Sequence, residues 1–379
     1  MPKTRLQAAR TARGLKQSQV IQELTRRAEV SGLPIASPSS LQILLSNFEN
    51  GKRAVNEPYR SLFRAIYGMT DDELFAPVGD PGETDNESAE YAALAARVAA
   101  ARQIDHTTAS LLSAQTDYLR AMDCRVGGAA LVDQMNAHLT TVQEALSHAI
   151  LPSIRRPLAA VLADAAALAA WQALDVGAIS RAWRHHETAR YAALEARDTV
   201  LLAHAMAQQA FVLVDVGDIA SAVELVGEAL SEAGTKVPAR FQAWVYAAKA
   251  EVLSAANEVT ASKKCFDEAS QLLPAGPDAV DPEMPFIVLN EAHLARWRGN
   301  ALATLGDETA INQLQAAVDG GGIVSTRAAA ALHCDLAKAY LALDDRSEAR
   351  AHATEGRKLA KQAGSIRQKL RIERLALMP

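Results

Sequence analysis

The stretch Ser39–Arg53, SSLQILLSNFENGKR, decides how the front of this chain is read. Pro38 suits the first position of a helix behind a Ser37 cap. Leu41, Leu44, Leu45 and Phe48 then recur at i, i+3, i+4 and i+7, which makes one apolar stripe. The opposite face carries Ser39, Ser40, Gln42, Ile43, Ser46 and Asn47. Short hydroxyls and amides there can exchange hydrogen bonds with base edges in a major groove, and Ile43 can touch thymine methyl groups. Gly51 stops the helix, and Lys52 and Arg53 follow where phosphates would lie. The same pattern also fits an ordinary amphipathic helix with a polar outside. Ile43 has a second reading as well, packing against the residues that precede this helix.

Further short helices are expected around this one. Segments at about Thr4–Ala12 and Gln17–Val30 carry Leu6 and Ala9, then Val20, Ile21, Leu24 and Ala28. A segment at about Pro58–Tyr67 carries Leu62, Phe63, Ile66 and Tyr67. A last one opens with Thr70 and Glu73 at capping-box spacing. Two helices joined by a connection, with flanking helices to complete a core, describe a helix-turn-helix bundle over residues 1–75. Those residues contain 11 Lys/Arg and 7 Asp/Glu, whereas the whole chain has 39 and 44. A basic head on an acidic body puts contact with a polyanion in the head. Residues 76–88, APVGDPGETDNES, read as a linker.

The order R-x-x-x-G-L-x-Q, F-E-N-G-K-R and a Pro-led apolar helix resembles the Cro/C1-type (xenobiotic-response-element) helix-turn-helix family. Arg10, Gly14, Leu15 and Gln17 match its start, and Phe48, Glu49 and Gly51 stand where W-E-x-G is usual. Gln17 and Glu49 are further apart than that pattern has them. The excess covers RRAEVSGLPIASP, so helix two is expected to be longer and its turn to be a loop. With Arg53, Tyr59, Arg60, Leu62, Phe63, Tyr67 and Gly68, this resembles actinobacterial regulators with repeat-containing C-terminal regions. The resemblance implies an operator in double-stranded DNA, bases read by Gln42, Ile43, Ser46 and Asn47, and phosphates held by Lys16, Gln17, Lys52 and Arg53. A module of such small net charge binds duplex weakly alone, so a homodimer on two half-sites is expected.

The body repeats. Turn residues fall at Gly177, Gly217, Asn257, Gly306 and Asp344, at intervals of 40, 40, 49 and 38. Small residues precede each by seven positions (Ala170, Ala210, Ala250, Gly299 and Ala337). Mostly small residues follow by five (Ala182, Ala222, Ser262, Ile311, Ala349) and by twelve (Ala189, Ala229, Ala269, Val318, Gly356). Paired helices need small residues at such points for close contact. The excess in the fourth unit lies in the Pro-rich 272–286, read as a loop. The spacing resembles the tetratricopeptide repeat, with units longer than its standard length of about 34 residues. The expected architecture is all-α: a small helix-turn-helix bundle, a helical connector at 89–154 able to pair two subunits, and an α-solenoid of tetratricopeptide-like helix pairs over 155–379. IRQKLRIERLAL is its C-terminal cap. Carried over from such repeats, groove positions fall on Asp164, Trp171, His204, Phe211, Trp244, Glu251, His293, Arg296, Asn300 and Lys338. That set suits a signalling peptide, small ligand or protein partner, with the Asn300 amide free to grip a peptide bond.

Other classes find no support. There is no HExxH, GxSxG, phosphate loop or EF-hand, and adjacent His185 and His186 point about 100° apart on a helix, unable to share a metal. GGG at 320–322 follows no strand and is read as an interhelix loop. No catalytic residues, metal or cofactor are therefore expected. Three scattered cysteines, no apolar leader and no run of about 18 uncharged apolar residues point to a cytoplasmic chain without a membrane span. The expected function is a DNA-binding transcriptional regulator whose repeats sense a ligand and dimerise. The alternative is an interaction scaffold whose helix-turn-helix is a docking module.

Overall fold

The computed structural model describes residues 2–76, 91–96, 98–99, 104–276, 280–319 and 325–376. It is almost entirely α-helical and divides into two compact units, Met1–Ala96 and Arg97–Pro379. Most of the linker and the GGG loop lie outside the described residues.

The first unit holds α1 (Arg5–Ala12), α2 (Gln17–Ser31), α3 (Pro38–Glu49), α4 (Tyr59–Tyr67) and α5 (Asp71–Phe75). Its core joins Leu6, Val20, Leu24, Leu45, Phe48, Leu62, Phe63, Tyr67 and Leu74. Phe48 meets Phe63 edge-on at 6.4 Å, which accounts for an aromatic at the end of α3. As expected, α2 is long, and Gly32 closes it in the left-handed region at φ 63°. The connection to α3 is not loose: Leu33 and Ile35 pack on the core, and the Ala36 amide donates to the Tyr59 hydroxyl at 3.1 Å. One capping expectation is corrected. The Ser37 side chain caps nothing and bonds the hydroxyls of Ser39 and Ser40 instead.

The second unit begins with α6 (His106–Val126) and α7 (Val132–His148). Five helix pairs follow: α8 (Pro152–Asp175) with α9 (Ile179–Ala196), α10 (Thr199–Val216) with α11 (Ile219–Ala233), and α12 (Ala239–Ala255) with α13 (Val259–Leu272). The last two are α14 (Glu291–Thr304) with α15 (Ala310–Asp319), and α16 (Thr326–Ala342) with α17 (Arg346–Ala363). A final α18 spans Ile366–Ala376. All five expected turn residues have positive φ, from 60° at Asn257 to 91° at Gly217. The small residues mark contact points. Ala170, Ala210, Ala250 and Ala337 are fully buried, and a Cβ on Gly299 would stand 2.7 Å from the Leu314 side chain. Such packing favours a helical-repeat array.

One expectation is corrected. The Pro-rich segment is not all loop, since Val280–Asp281 (β1) pairs antiparallel with Met284–Val288 (β2), and Met284, Ile287 and Leu289 are buried. Pro152–Asp175 and Thr199–Val216 are, moreover, long and apolar enough to cross a bilayer. Their most apolar windows are 78% and 61% buried inside the array, so alanine-rich core packing accounts for their composition. α18 also does more than cover the last pair, because it touches α16, α17 and α8. The two ends of the array meet through it.

Candidate functional site

Two surfaces carry candidate chemistry, one in each unit. On α3 the inner stripe is buried at Leu41, Leu45 and Phe48, as its spacing requires. Ser39, Ser40, Gln42 and Ile43 are exposed, and Ser46 and Asn47 are half-buried. Ile43 is 66% exposed, which overturns its reading as a packing residue and leaves a bare apolar side chain among polar ones. Asn50 donates from Nδ2 to the Ser46 carbonyl at 2.7 Å and approaches its hydroxyl at 3.4 Å, so Ser46 is less free than Gln42.

The cations of this unit sort by partner. Arg10 forks onto Glu49 at 2.6 and 3.0 Å and donates to the Leu15 carbonyl at 2.8 Å. Arg13 donates to the Ile66 and Tyr67 carbonyls, Arg5 to the Asp72 carbonyl. Arg60 and Arg64 pair with Asp71, and Arg26 and Arg27 pair with Glu23. Among the described residues of this unit Lys3, Lys16, Lys52 and Arg53 are exposed and have no ion pair. The last three are those expected at phosphates. The fourth phosphate candidate, Gln17, is partly engaged: its amide donates to Glu49 at 2.8 Å and fastens α2 to the end of α3.

Glu49 is the residue that sequence reasoning undervalued. Its side chain is 1% exposed, and its backbone carbonyl also accepts from the Thr4 hydroxyl at 2.9 Å. One buried carboxylate thus joins α1, α2 and α3. The signal was present in the paired Arg10 and Glu49 of the motif, which were read as pattern positions without a mutual contact.

In the second unit, the first helix of each pair packs on the first helix of the next. Their expected groove residues are brought together but are mostly occupied by the chain itself. His204 is buried against Trp244 at 5.0 Å and Phe286 at 4.8 Å, and Trp244 faces Trp297 at 6.1 Å. Phe211 is 9% exposed. Asp164 accepts from Arg120 at 2.6 Å, while burial pushes its carboxyl up against that cation. Lys338 donates to the Thr304 hydroxyl at 3.0 Å, and burial pushes its pKa down. Burial holds His204 at about 3 and His293 at about 4, so both rings are neutral near pH 7.

The free amide expected at Asn300 is not there. Its Nδ2 donates to Glu251 at 2.9 Å and its Oδ1 accepts from Arg371 at 3.3 Å. Arg371 belongs to α18 and also reaches Asp335 at 2.7 Å. One turn earlier, Arg367 forks onto Asp215 at 2.6 and 2.9 Å and lies over the Trp171 ring at 5.3 Å. Ser365 donates to Asp175, which Arg327 also approaches. A segment read as a cap therefore supplies partners to residues of the first, second, fourth and fifth pairs, Trp171 and Asn300 of the expected groove among them. Its basic residues, spaced four apart, meet carboxylates that lie far away in sequence, and no local pattern announces that. Arg296 is the exception: its guanidinium makes no hydrogen bond or ion pair among the described residues.

Among the described residues no three His, Cys, Asp or Glu side chains gather to hold a metal, and Cys124, Cys265 and Cys334 are free thiols. No protein-family model matches the chain, and no curated protein does. Among solved structures, the crystal structure of BtubC (BKLC) from P. vanneervenii matches 62% of this chain and 91% of its own, at 14% identity and a TM-score of 0.42.

Proposed function

We propose that the chain is a sequence-specific DNA-binding transcriptional regulator of the Cro/C1-like type, with a tetratricopeptide-like body that senses a ligand or partner. The observation that carries this reading is the surface around α3. An uncharged hydrogen-bonding face (Ser39, Ser40, Gln42, Asn47) with one bare isoleucine stands in the same unit as the unpaired cations Lys3, Lys16, Lys52 and Arg53, while seven arginines are engaged internally. In this reading α3 lies in the major groove, and Lys16, Lys52 and Arg53 hold phosphates. Leu111 and Tyr118, one heptad apart on α6, are 67% and 61% exposed and provide apolar surface for the homodimer. Because α18 ties the ends of the array together, a ligand on the inner face alters curvature only by working against that tie.

Selection of bound fragments from random duplex DNA, followed by titration at several salt concentrations, tests the proposal. A recovered motif, with affinity falling steeply as salt rises, supports it. Failure to enrich any sequence, together with salt-independent capture of a protein through residues 39–53, would instead establish the docking-module alternative.

A further inference from the structure

Arg296 sits at the middle of an inward stripe on α14, where His293, Arg296, Trp297 and Asn300 follow at i, i+3, i+4 and i+7. That stripe faces α12, because Asn300 bonds Glu251 and Trp297 faces Trp244. Every other cation near it is satisfied: Arg371 by Asp335 and Asn300, Lys338 by Thr304. Arg296 has no bonded partner among the described residues, and its Nε is buried from solvent. Asp335 and Glu251 attract it from a distance without bonding, and burial lowers its pKa. A buried, unbonded N–H is costly unless something completes it, and the rest of this half-buried side chain stays open to a ligand. A second orphan lies one turn away. His293 Nδ1 bonds Asn290 Oδ1 at 2.6 Å, and its Nε2 is buried with no partner. Since Asn290 Oδ1 accepts, Nδ1 carries the proton and Nε2 is left as an acceptor.

We infer that the inner face of the array binds a small aromatic carboxylate, its carboxylate forked onto Arg296 and its ring against Trp297. A planar guanidinium takes a carboxylate through two parallel hydrogen bonds. The charge balance favours a monoanion over a dianionic phosphate, since Asp335 already neutralises Arg371 and the Glu251 carboxyl lies close by. Trp297, half-buried, supplies apolar contact for a ring. This deepens the sensing half of the proposed function and does not depend on its DNA-binding half.

The test is calorimetric titration of the full chain with 2-naphthoate, phenyl phosphate and neutral 2-naphthamide, repeated on Arg296→Gln and Arg296→Lys, with no DNA present. The expected result is saturable binding of 2-naphthoate, at least tenfold weaker binding of the other two, and loss of 2-naphthoate binding by a factor of ten or more in R296Q, with partial retention in R296K. In thermal melts without ligand, R296Q should be at least as stable as the parent, because it removes an unbonded cation. Equal binding of the amide, tighter binding of the phosphate, undiminished binding by R296Q, or no binding of 2-naphthoate would each overturn the inference. A lower melting temperature for both variants would do so too, by making Arg296 a structural charge. None of these results bears on operator binding, so the two proposals fail separately.

Discussion

Glu49→Gln is the substitution whose cost the structure fixes most closely. It keeps the shape of a side chain that is 1% exposed and leaves the Thr4 contact to the backbone carbonyl untouched. It removes the charge that Arg10 forks onto at 2.6 and 3.0 Å and that Gln17 meets at 2.8 Å. Hydrogen bonds to a charged group are worth about 1.5–3 kcal/mol each, and breaking a buried pair by one partner costs about 3–5 kcal/mol. The new amide can still accept one bond from Arg10 or Gln17, which places the loss near the lower end, about 3 kcal/mol. At about 1.4 kcal/mol per factor of ten, that is roughly a hundredfold change in the local opening equilibrium. Hydrogen exchange on the full chain reads it directly, as faster exchange of the inner amides of α3 and α1 with no change in α8 to α17. Replacing the pair together, as Arg10→Met with Glu49→Leu, should recover most of the loss, because an apolar pair suits a dry site. If Glu49→Gln changed α3 exchange by less than about threefold, equivalent to under about 0.7 kcal/mol, Glu49 would not be what fastens the three helices.

Other outcomes follow from the same contacts. Gln42→Ala and Asn47→Ala should each relax operator discrimination by about 1–3 kcal/mol per lost base contact, whereas Lys52→Gln should weaken all duplexes alike and lower the salt slope by about one; competition binding over mutated operators distinguishes the two. Arg371→Ala leaves Asp335, 2% exposed, without its cation and should cost about 3–5 kcal/mol in urea melts of the second unit. Gly299→Ala drives a Cβ to 2.7 Å from Leu314 and should cost about 1–3 kcal/mol by overpacking, read from the same melts. His204 is held at about 3 by burial, below its ordinary 6.5. The unfolded chain binds this proton first, so its contribution is complete above pH 6.5 and is lost as pH falls toward the folded value. His204→Phe should therefore lessen acid destabilisation between pH 6 and 4.5 by up to about 1.4 kcal/mol per pH unit, and an unchanged acid slope would refute the assignment.

Most of the helix order was legible in the sequence because its signals are local. An apolar stripe at helical spacing, a glycine that closes a helix in the left-handed region, and a small residue where two helices touch all depend on neighbours a few positions away. Thus Leu41, Leu45 and Phe48 were placed in a core, a lengthened α2 before a loop, and Gly177, Gly217, Asn257, Gly306 and Asp344 at five turns, all of which the structure bears out. The exposed face of α3 was legible for the same reason, since burying one stripe of a helix fixes the other.

Tertiary structure decided which polar side chains are free. Gln17 and Asn300 looked available because an amide's partner cannot be read from its neighbours, and each proved bonded to a carboxylate 32 or 49 positions away. Arg367 and Arg371 looked like the outside of a capping helix, yet they reach Asp215 and Asp335 across the array. A charge far from its partner in sequence carries no periodic signature, since its energy comes from distance and burial after the chain has folded. What the sequence by itself determined is the set of helices and the stripe each one buries. Only the folded array decided that Trp171 and Asn300 meet α18, Asp164 meets Arg120 and His204 meets Phe286, with Arg296 left unbonded.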